Sequence, residues 1–417
     1  MKYRFLTKHL PSEDKKKLVL LTGARQTGKT ILSQYTYPDL HYLNLDSPEN
    51  REFIRNVTSF QWDKSIGNVI IDESQKEPIV FEKVKYAFDS GLLHFSLLTG
   101  SSQILLLKKI RESLAGRISL YELWPLMMSE LYYERDEKSI SLPILDKLLS
   151  GYPVERVCNE TVSELLPVKD EVYLNIEKHM LTWGGMPALL SLEEHERWKW
   201  LRDYTFTYLE RDLSDLARLS DLEPFKKFQK LAALRSGQLL NYSELASDTS
   251  ISVDTARRYL EYLKISYQAI LIQPYYKNLT SSVVKSPKLY WTDIGILRYL
   301  CGFKTGVTGS IYETMVMAEI LKWNNTMQKE ANIFFYRTRT GMELDALIET
   351  KHGLIGIEIK SRDTVNRKDM RILKKIAEAI PDKWQGGIII YQGKKIEKID
   401  RDGSNIWAIP SRRLFIP

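Results

Sequence analysis

"LVLLTGARQTGKT", residues 18–30, runs an apolar segment straight into a loop bounded by Gly23 and Gly28. Leu18–Leu21 reads as a buried parallel strand, and Lys29-Thr30 as the start of a helix. The spacing is G-x-x-x-x-G-K-[ST]. Glycines at those positions let backbone N–H groups converge on phosphate oxygens, and the helix N-terminus adds a favourable dipole. The loop Gly23, Ala24, Arg25, Gln26, Thr27 and Gly28 would cradle a nucleotide triphosphate. Lys29 would reach its β- and γ-phosphates, and Thr30 would ligate Mg²⁺.

The next signals are placed as that loop requires. "NVIIDESQK" (68–76) is a second apolar strand ending in Asp72-Glu73. Asp72 can hold the metal, and Glu73 can polarise an attacking water, which points to hydrolysis rather than binding alone. "HFSLLTGSSQ" (94–103) ends in polar residues, of which Ser101, Ser102 or Gln103 could sense the γ-phosphate from a strand between the other two. In "RESLAGRISLYEL" (111–123), Arg117 is a candidate arginine finger, acting within the chain or on a neighbour in a homo-oligomer.

"LTGARQTGKT", "IIDESQK", "LLTGSS" and "SLAGR" together resemble a family of uncharacterised bacterial and archaeal AAA-type P-loop ATPases. In that family a C-terminal half of unknown function follows the ATPase. The likeness continues through "WGGMPALL", "YLERDL" and "PKLYWTDIGILRYL" and so spans nearly the whole chain. It implies the fold and the use of ATP more than a physiological role.

Composition sets outer limits. A chain of 417 residues has room for about two to four domains. No run of roughly 18 apolar residues marks a membrane span, and "MKYRFLTKHLPSEDKKK" has no apolar signal core. Cys158 and Cys301 offer neither a disulfide framework nor zinc spacing, so a reduced cytoplasmic setting is expected. The net charge is +7, and residues 303–417 hold 20 Lys and Arg against 14 Asp and Glu. That excess suits an acidic partner such as DNA.

Between the phosphate loop and that basic end, residues 131–222 read as a helical lid or connector. "ERWKWLRDYTFTYLERDLSDLARL" (196–219) has neither Gly nor Pro, and its aromatic stripe reads as core. Residues 223–302 read as a winged helix. Ser243 would cap one short helix, Ser252 or Asp254 would open the next, and strands around 269–276 and 277–291 would form the wing. The second helix would present Ser252, Thr255 and Arg258 to a DNA major groove. Packing against other protein is the equally weighted alternative.

Residues 303–417 begin with a helix bearing Glu313. "MELDALIE" (342–349) reads as a strand with Glu343, Asp345 and Leu347 on one face. "LIGIEIKS" (354–361) puts Gly356, Glu358 and Lys360 opposite Ile355, Ile357 and Ile359. The order of elements resembles the PD-(D/E)xK nuclease fold. The resemblance implies Asp345 and Glu358 as hard oxygen ligands for Mg²⁺ or Mn²⁺, Glu313 as a ligand through water, and Lys360 beside the reacting water. Arg337, Arg339, Arg362, Arg367 and Lys368 would grip phosphates. The bland alternative is a solvated ion pair on a scaffold.

The expected whole is α/β and multidomain. Residues 1–130 form a P-loop AAA-type ATPase core on a parallel sheet. A helical lid, a winged helix and a PD-(D/E)xK nuclease-like α/β domain follow.

Overall fold

The computed structural model describes residues 2–100, 114–208, 222–275, 286–338, 341–400 and 403–417. Ser101 and its neighbours Ser102 and Gln103, as well as Arg339, lie outside the described residues.

The N-terminal region is a five-stranded parallel sheet. Its strands are β1 (Lys17–Thr22), β2 (His41–Asn44), β3 (Val69–Asp72), β4 (Phe95–Gly100) and β5 (Ile118–Glu122), in the spatial order β2-β3-β4-β1-β5. Strand β4 thus lies between the strand that feeds the glycine loop and the strand that ends in Asp72. Both faces are covered, as parallel sheets require. Leu18, Leu20, Val69, Ile71 and Leu98 pack on one side. Val19, Leu21, Ile70, Phe95 and Leu97 pack on the other. Burying each such side chain contributes roughly 1.5–3 kcal/mol, which fixes the strand ends where the chemistry sits.

The second sheet has nine strands and crosses an expected domain boundary. They are β6 (Gln238–Leu239), β7 (Ala269–Pro274), β8 (Lys288–Trp291), β9 (Asn332–Arg337), β10 (Glu343–Thr350), β11 (Gly353–Lys360), β12 (Trp384–Tyr391), β13 (Glu397–Lys398) and β14 (Ile406–Pro410). The order is β13-β14-β12-β11-β10-β9-β7-β8-β6. Strand β7 pairs with β8 as an antiparallel hairpin and with β9 in parallel, Gln273 beside Phe334. The hairpin expected as a wing is therefore continuous with the C-terminal sheet.

Three helices precede that hairpin: Glu223–Leu234, Tyr242–Thr249 and Val253–Ile265. Ser252 caps the third by accepting from the Thr255 N–H at 3.1 Å. The second is capped by Asn241, not Ser243. The Asn241 Oδ1 accepts from the Ser243 and Glu244 N–H groups at 3.1 and 3.3 Å, so the helix opens at Tyr242, two residues earlier than a Ser243 cap would allow.

The chain end returns to the middle. Arg412, buried, pairs with Asp170 at 2.8 Å, and Arg413 donates to the Val162 carbonyl at 2.7 Å. One continuous apolar core runs from Phe5 through the connector helices to Ile416. Gly185 shows how tightly these pieces meet: a Cβ there would lie 2.1 Å from the Leu126 carbonyl oxygen.

Candidate functional sites

The glycine loop turns where β1 ends. Gly23 has φ +149°, and a Cβ on it would lie 2.2 Å from the Leu123 carbonyl oxygen, so only glycine fits. Gly28 takes a left-handed φ of 95° as the cap of the helix Lys29–Thr36. Gln26 also has positive φ. The Lys29 ammonium is buried and donates to the Gly23 and Ala24 carbonyls at 3.0 and 2.8 Å.

Asp72 gathers this end of the sheet. Its Oδ2 accepts from the Thr30 hydroxyl at 2.6 Å and from the Tyr42 hydroxyl at 2.7 Å. Its Oδ1 accepts from the Glu73 N–H at 3.0 Å and from the Thr99 hydroxyl. Burial, then the bond and charge of Asp72, push the Tyr42 phenol well up, so it stays protonated as a donor. Glu73 sits in a left-handed turn at φ 53° and accepts from Gln75. A cavity of about 840 Å³ opens here, lined by residues 25–31, Glu73, Arg4, Leu126 and the segment Pro187, Ala188, Leu190 and Ser191. The Thr30 hydroxyl and Asp72 carboxylate are hard oxygen donors already converged at one point, a set that fits Mg²⁺.

Sequence reasoning missed Tyr42, Thr99 and the 187–191 wall. Thr99 sits on the middle strand one residue before Gly100, so register alone would have aimed it at Asp72. Arg117 is placed elsewhere. Strand β5 runs parallel to β1 with Ile118 beside Leu18. Arg117 is therefore level with Lys17, five residues below Thr22, or roughly 16 Å at about 3.3 Å per residue. There it pairs with Asp89 at 2.7 Å. It cannot reach the cavity of its own chain.

The second cluster lies at the junction of β8, β10 and β11 with the helix Gly309–Thr326. The alternation expected along β10 breaks, because the pairing with β9 shifts between Leu344 and Leu347. Leu344 and Leu347 consequently pack into one core, with Leu373 and Ile376. Ala346 and Ile348 join the other, with Ile355, Ile357 and Ile359. Asp345 stands at that irregularity and accepts from the Ile359 N–H at 2.7 Å. Burial raises its pKa well above the ordinary range, and the charges of Glu313 and Glu358 add to this. Glu358 accepts from Lys360 at 2.5 Å. Its Oε2 is buried and has no hydrogen-bond partner among the described residues. Burial raises its pKa too, against the pull of Lys360.

Lys288, from β8, enters this cluster unannounced by the sequence. Its side chain is 2% exposed. Its Nζ lies 3.1 Å from Glu313, 2.5 Å from Glu343 and 4.0 Å from Asp345. Tyr290 donates to the same Glu313 oxygen at 2.6 Å. Burial works against the Lys288 ammonium, but the charges of Glu313, Asp345 and Glu343 outweigh it and hold its pKa up. Among the described residues no three carboxylate, imidazole or thiolate groups are gathered so as to hold a metal ion. The expected metal set Glu313, Asp345 and Glu358 is therefore not assembled, and as arranged it does not fit the ion. An ammonium stands among the carboxylates instead.

Beside Glu358 and Lys360 lies a cavity of about 270 Å³, rimmed by Lys368, Arg371 and Lys375. Of the expected phosphate grips, Lys368 is there, while Arg337 pairs with Glu343 at 2.9 Å and Arg362 with Asp369. Arg367 is exposed. On the helix Val253–Ile265, Ser252, Arg257 and Arg258 are exposed, but the Ser252 and Thr255 hydroxyls bond each other at 2.9 Å.

Comparison with known proteins agrees with the N-terminal geometry. Residues 15–132 match the family model described as an AAA domain. Residues 175–306 and 308–414 match two domains of unknown function, DUF8612 and DUF4143. Residues 15–132 thus carry an AAA domain, and domains of unknown function follow it. An uncharacterized protein of Mycobacterium tuberculosis is 26% identical over 357 residues, 83% of this chain and 71% of the relative. One from Methanocaldococcus jannaschii is 25% identical over 409 residues, 93% of this chain and 85% of the relative. Among solved structures, a Walker-type ATPase of Pyrococcus abyssi is 17% identical, with a TM-score of 0.42, over 71% of this chain and 94% of its own. DnaA from Aquifex aeolicus is 13% identical, with a TM-score of 0.26, over 62% and 85%. No described helix is long and apolar enough to cross a membrane.

Proposed function

We propose that the protein binds ATP with Mg²⁺, hydrolyses it to ADP and phosphate, and uses the cycle to act on DNA in the cytoplasm. The observation that carries the ATPase reading is the Thr30–Asp72 contact at 2.6 Å beside Glu73, at the mouth of the loop cavity. Lys29 would exchange its loop carbonyls for the β- and γ-phosphates. Thr30 and Asp72 would hold Mg²⁺, which when bound neutralises phosphate charge. Glu73 would take the proton of the water that attacks the γ-phosphorus, as the bond to the β-phosphate breaks. Thr99 and Tyr42 keep Asp72 oriented.

Arg117 would then serve a neighbouring chain, since its own cavity is beyond reach. ATPase rate per chain should rise with protein concentration. Mixing Arg117→Ala with Lys29→Ala chains should recover activity that each lacks alone. A concentration-independent rate without recovery would remove Arg117 from the chemistry.

The DNA reading is supported by the three helices with their hairpin, by exposed Arg257 and Arg258, and by the cationic rim at Lys368, Arg371 and Lys375. ATPase turnover should rise when duplex or branched DNA is added. Arg258→Ala should weaken DNA binding and lower the salt slope by about 1. No DNA binding at low salt would favour a second reading, an ATP-dependent assembly switch whose C-terminal domain is a non-catalytic interaction module. The continuity of the β7–β8 hairpin with the C-terminal sheet favours that alternative, because it spends part of the wing on protein contacts.

A further inference from the structure

The helix Val253–Ile265 ends in a way its sequence does not favour. Tyr267, just past the cap at Ser266, sits at φ 61°. A helix ending in such a left-handed turn usually carries glycine there, and a bulky side chain at positive φ is an outlier. Backbone bonds hold the turn. The Tyr267 N–H donates to the Lys264 carbonyl and the Gln268 N–H to the Leu263 carbonyl, both at 2.9 Å, and the Tyr267 carbonyl accepts from the Thr292 hydroxyl at 2.5 Å. An outlier of this kind points to a use for the side chain, and this side chain reaches the phosphate loop. Its hydroxyl lies 2.6 Å from the Thr22 hydroxyl and donates to Glu122 at 3.1 Å. Its ring is 3% exposed and meets Trp124 edge-on, 5.1 Å between centroids. Tyr267, Trp124 and Ala24 form one small apolar cluster.

Thr22 and Ala24 flank Gly23, and the Gly23 and Ala24 carbonyls are the two that hold Lys29. The start of the loop is thus gripped from inside by Lys29 and from outside by Tyr267. We infer that Tyr267 is a positioning residue of the nucleotide site. It keeps the first turn of the loop in shape when Lys29 leaves those carbonyls for the phosphates, and through it bound nucleotide is felt at the end of the helix Val253–Ile265. The inference rests on the ATP reading of the loop. Lys29 gives up two bonds to the loop when it turns to a triphosphate. Tyr267 is not among the residues lining the loop cavity, so its bonds to Thr22 and Glu122 stay in place. The loop then adjusts against a fixed point, and binding energies linked in this way act equally at both ends. Tyr267 belongs to the stretch 175–306, so the AAA domain borrows this support from the domain of unknown function that follows it.

The test uses the full chain with Mg²⁺ and a non-hydrolysable ATP analogue, comparing wild type, Tyr267→Phe and Thr22→Val. Tyr267→Phe keeps the ring in its cluster and removes only the hydroxyl. It should weaken analogue binding, measured by calorimetry, about 3- to 10-fold. In ATP turnover KM should rise by a similar factor with kcat within about twofold, as when support for binding rather than for chemistry is lost. Amide hydrogen exchange gives the second readout. In wild type the analogue should slow exchange at residues 262–268, and in Tyr267→Phe that slowing should be lost even at saturating analogue. Thr22→Val removes the other end of the same bond, so the double variant should lose less affinity than the two single losses multiplied together. A lower unfolding temperature in Tyr267→Phe, with wild-type affinity and wild-type protection, would make the tyrosine a packing residue and overturn the inference. So would a wild type that binds the analogue with no change of exchange at 262–268. A wild type that binds no analogue would instead remove the ATP site, and the inference with it. If neither Tyr267→Phe nor Thr22→Val folds, the bond serves the fold rather than the loop, and the inference is overturned.

Discussion

Glu73→Gln should cost ATP turnover about 10²–10⁴-fold, the usual contribution of a positioned general base, while leaving ATP binding nearly intact. The amide keeps the volume of the carboxylate and its place in the left-handed turn at φ 53°. It also keeps an oxygen for the Gln75 amide, and so preserves the local fold. What it loses is the capacity to accept a proton from the attacking water. Asp72, next in sequence, cannot take over. Its oxygens already accept from Thr30, Tyr42, Thr99 and the Glu73 N–H. Phosphate release under saturating ATP measures the effect. Turnover within about threefold of wild type would strip Glu73 of its role, since the smallest contribution of a general base is some hundredfold.

Lys29→Ala should act one step earlier, on binding. The Lys29 ammonium is buried and held by the Gly23 and Ala24 carbonyls, poised where a triphosphate would bring several negative oxygens. Removing one partner of a desolvated charge pair costs about 2–5 kcal/mol. At about 1.4 kcal/mol per decade that is roughly 30- to 4,000-fold in Kd. The fold should survive, because the helix Lys29–Thr36 is capped by the backbone of Gly28 and anchored by buried Leu32. The two variants therefore separate: one binds without turning over, and the other does not bind.

What was legible in the sequence follows from how local the chemistry is. The phosphate loop is eight consecutive residues whose spacing is itself the mechanism, and Asp72-Glu73 closes an apolar strand. Both could be read without knowing what lies beside them. Tyr42 required knowing that β2 flanks β3, and Thr99 required the register of β4 against β3, which sets it level with Asp72. Asp345 was assigned to the right strand, but its surroundings were misjudged, because a shift in pairing between Leu344 and Leu347 is invisible to a period of two. Lys288 was unreadable for a different reason. It lies 25 residues from Glu313 and 57 from Asp345 in sequence, on a strand that looked like part of another domain. The pairing of β7 with β9 and the packing of β8 on the helix Gly309–Thr326 bring it there. Asn241 displaced Ser243 as a cap by two positions, a choice that cap propensity alone does not separate.

The central claim is that the loop at 23–30 is an ATP site, and calorimetric titration of Mg²⁺-ATP into wild type and Lys29→Ala side by side tests it most directly. One ATP bound per wild-type chain, with binding weakened at least thirtyfold or lost in the variant, is the predicted result. Indistinguishable isotherms, or a wild type that binds no ATP, would contradict it.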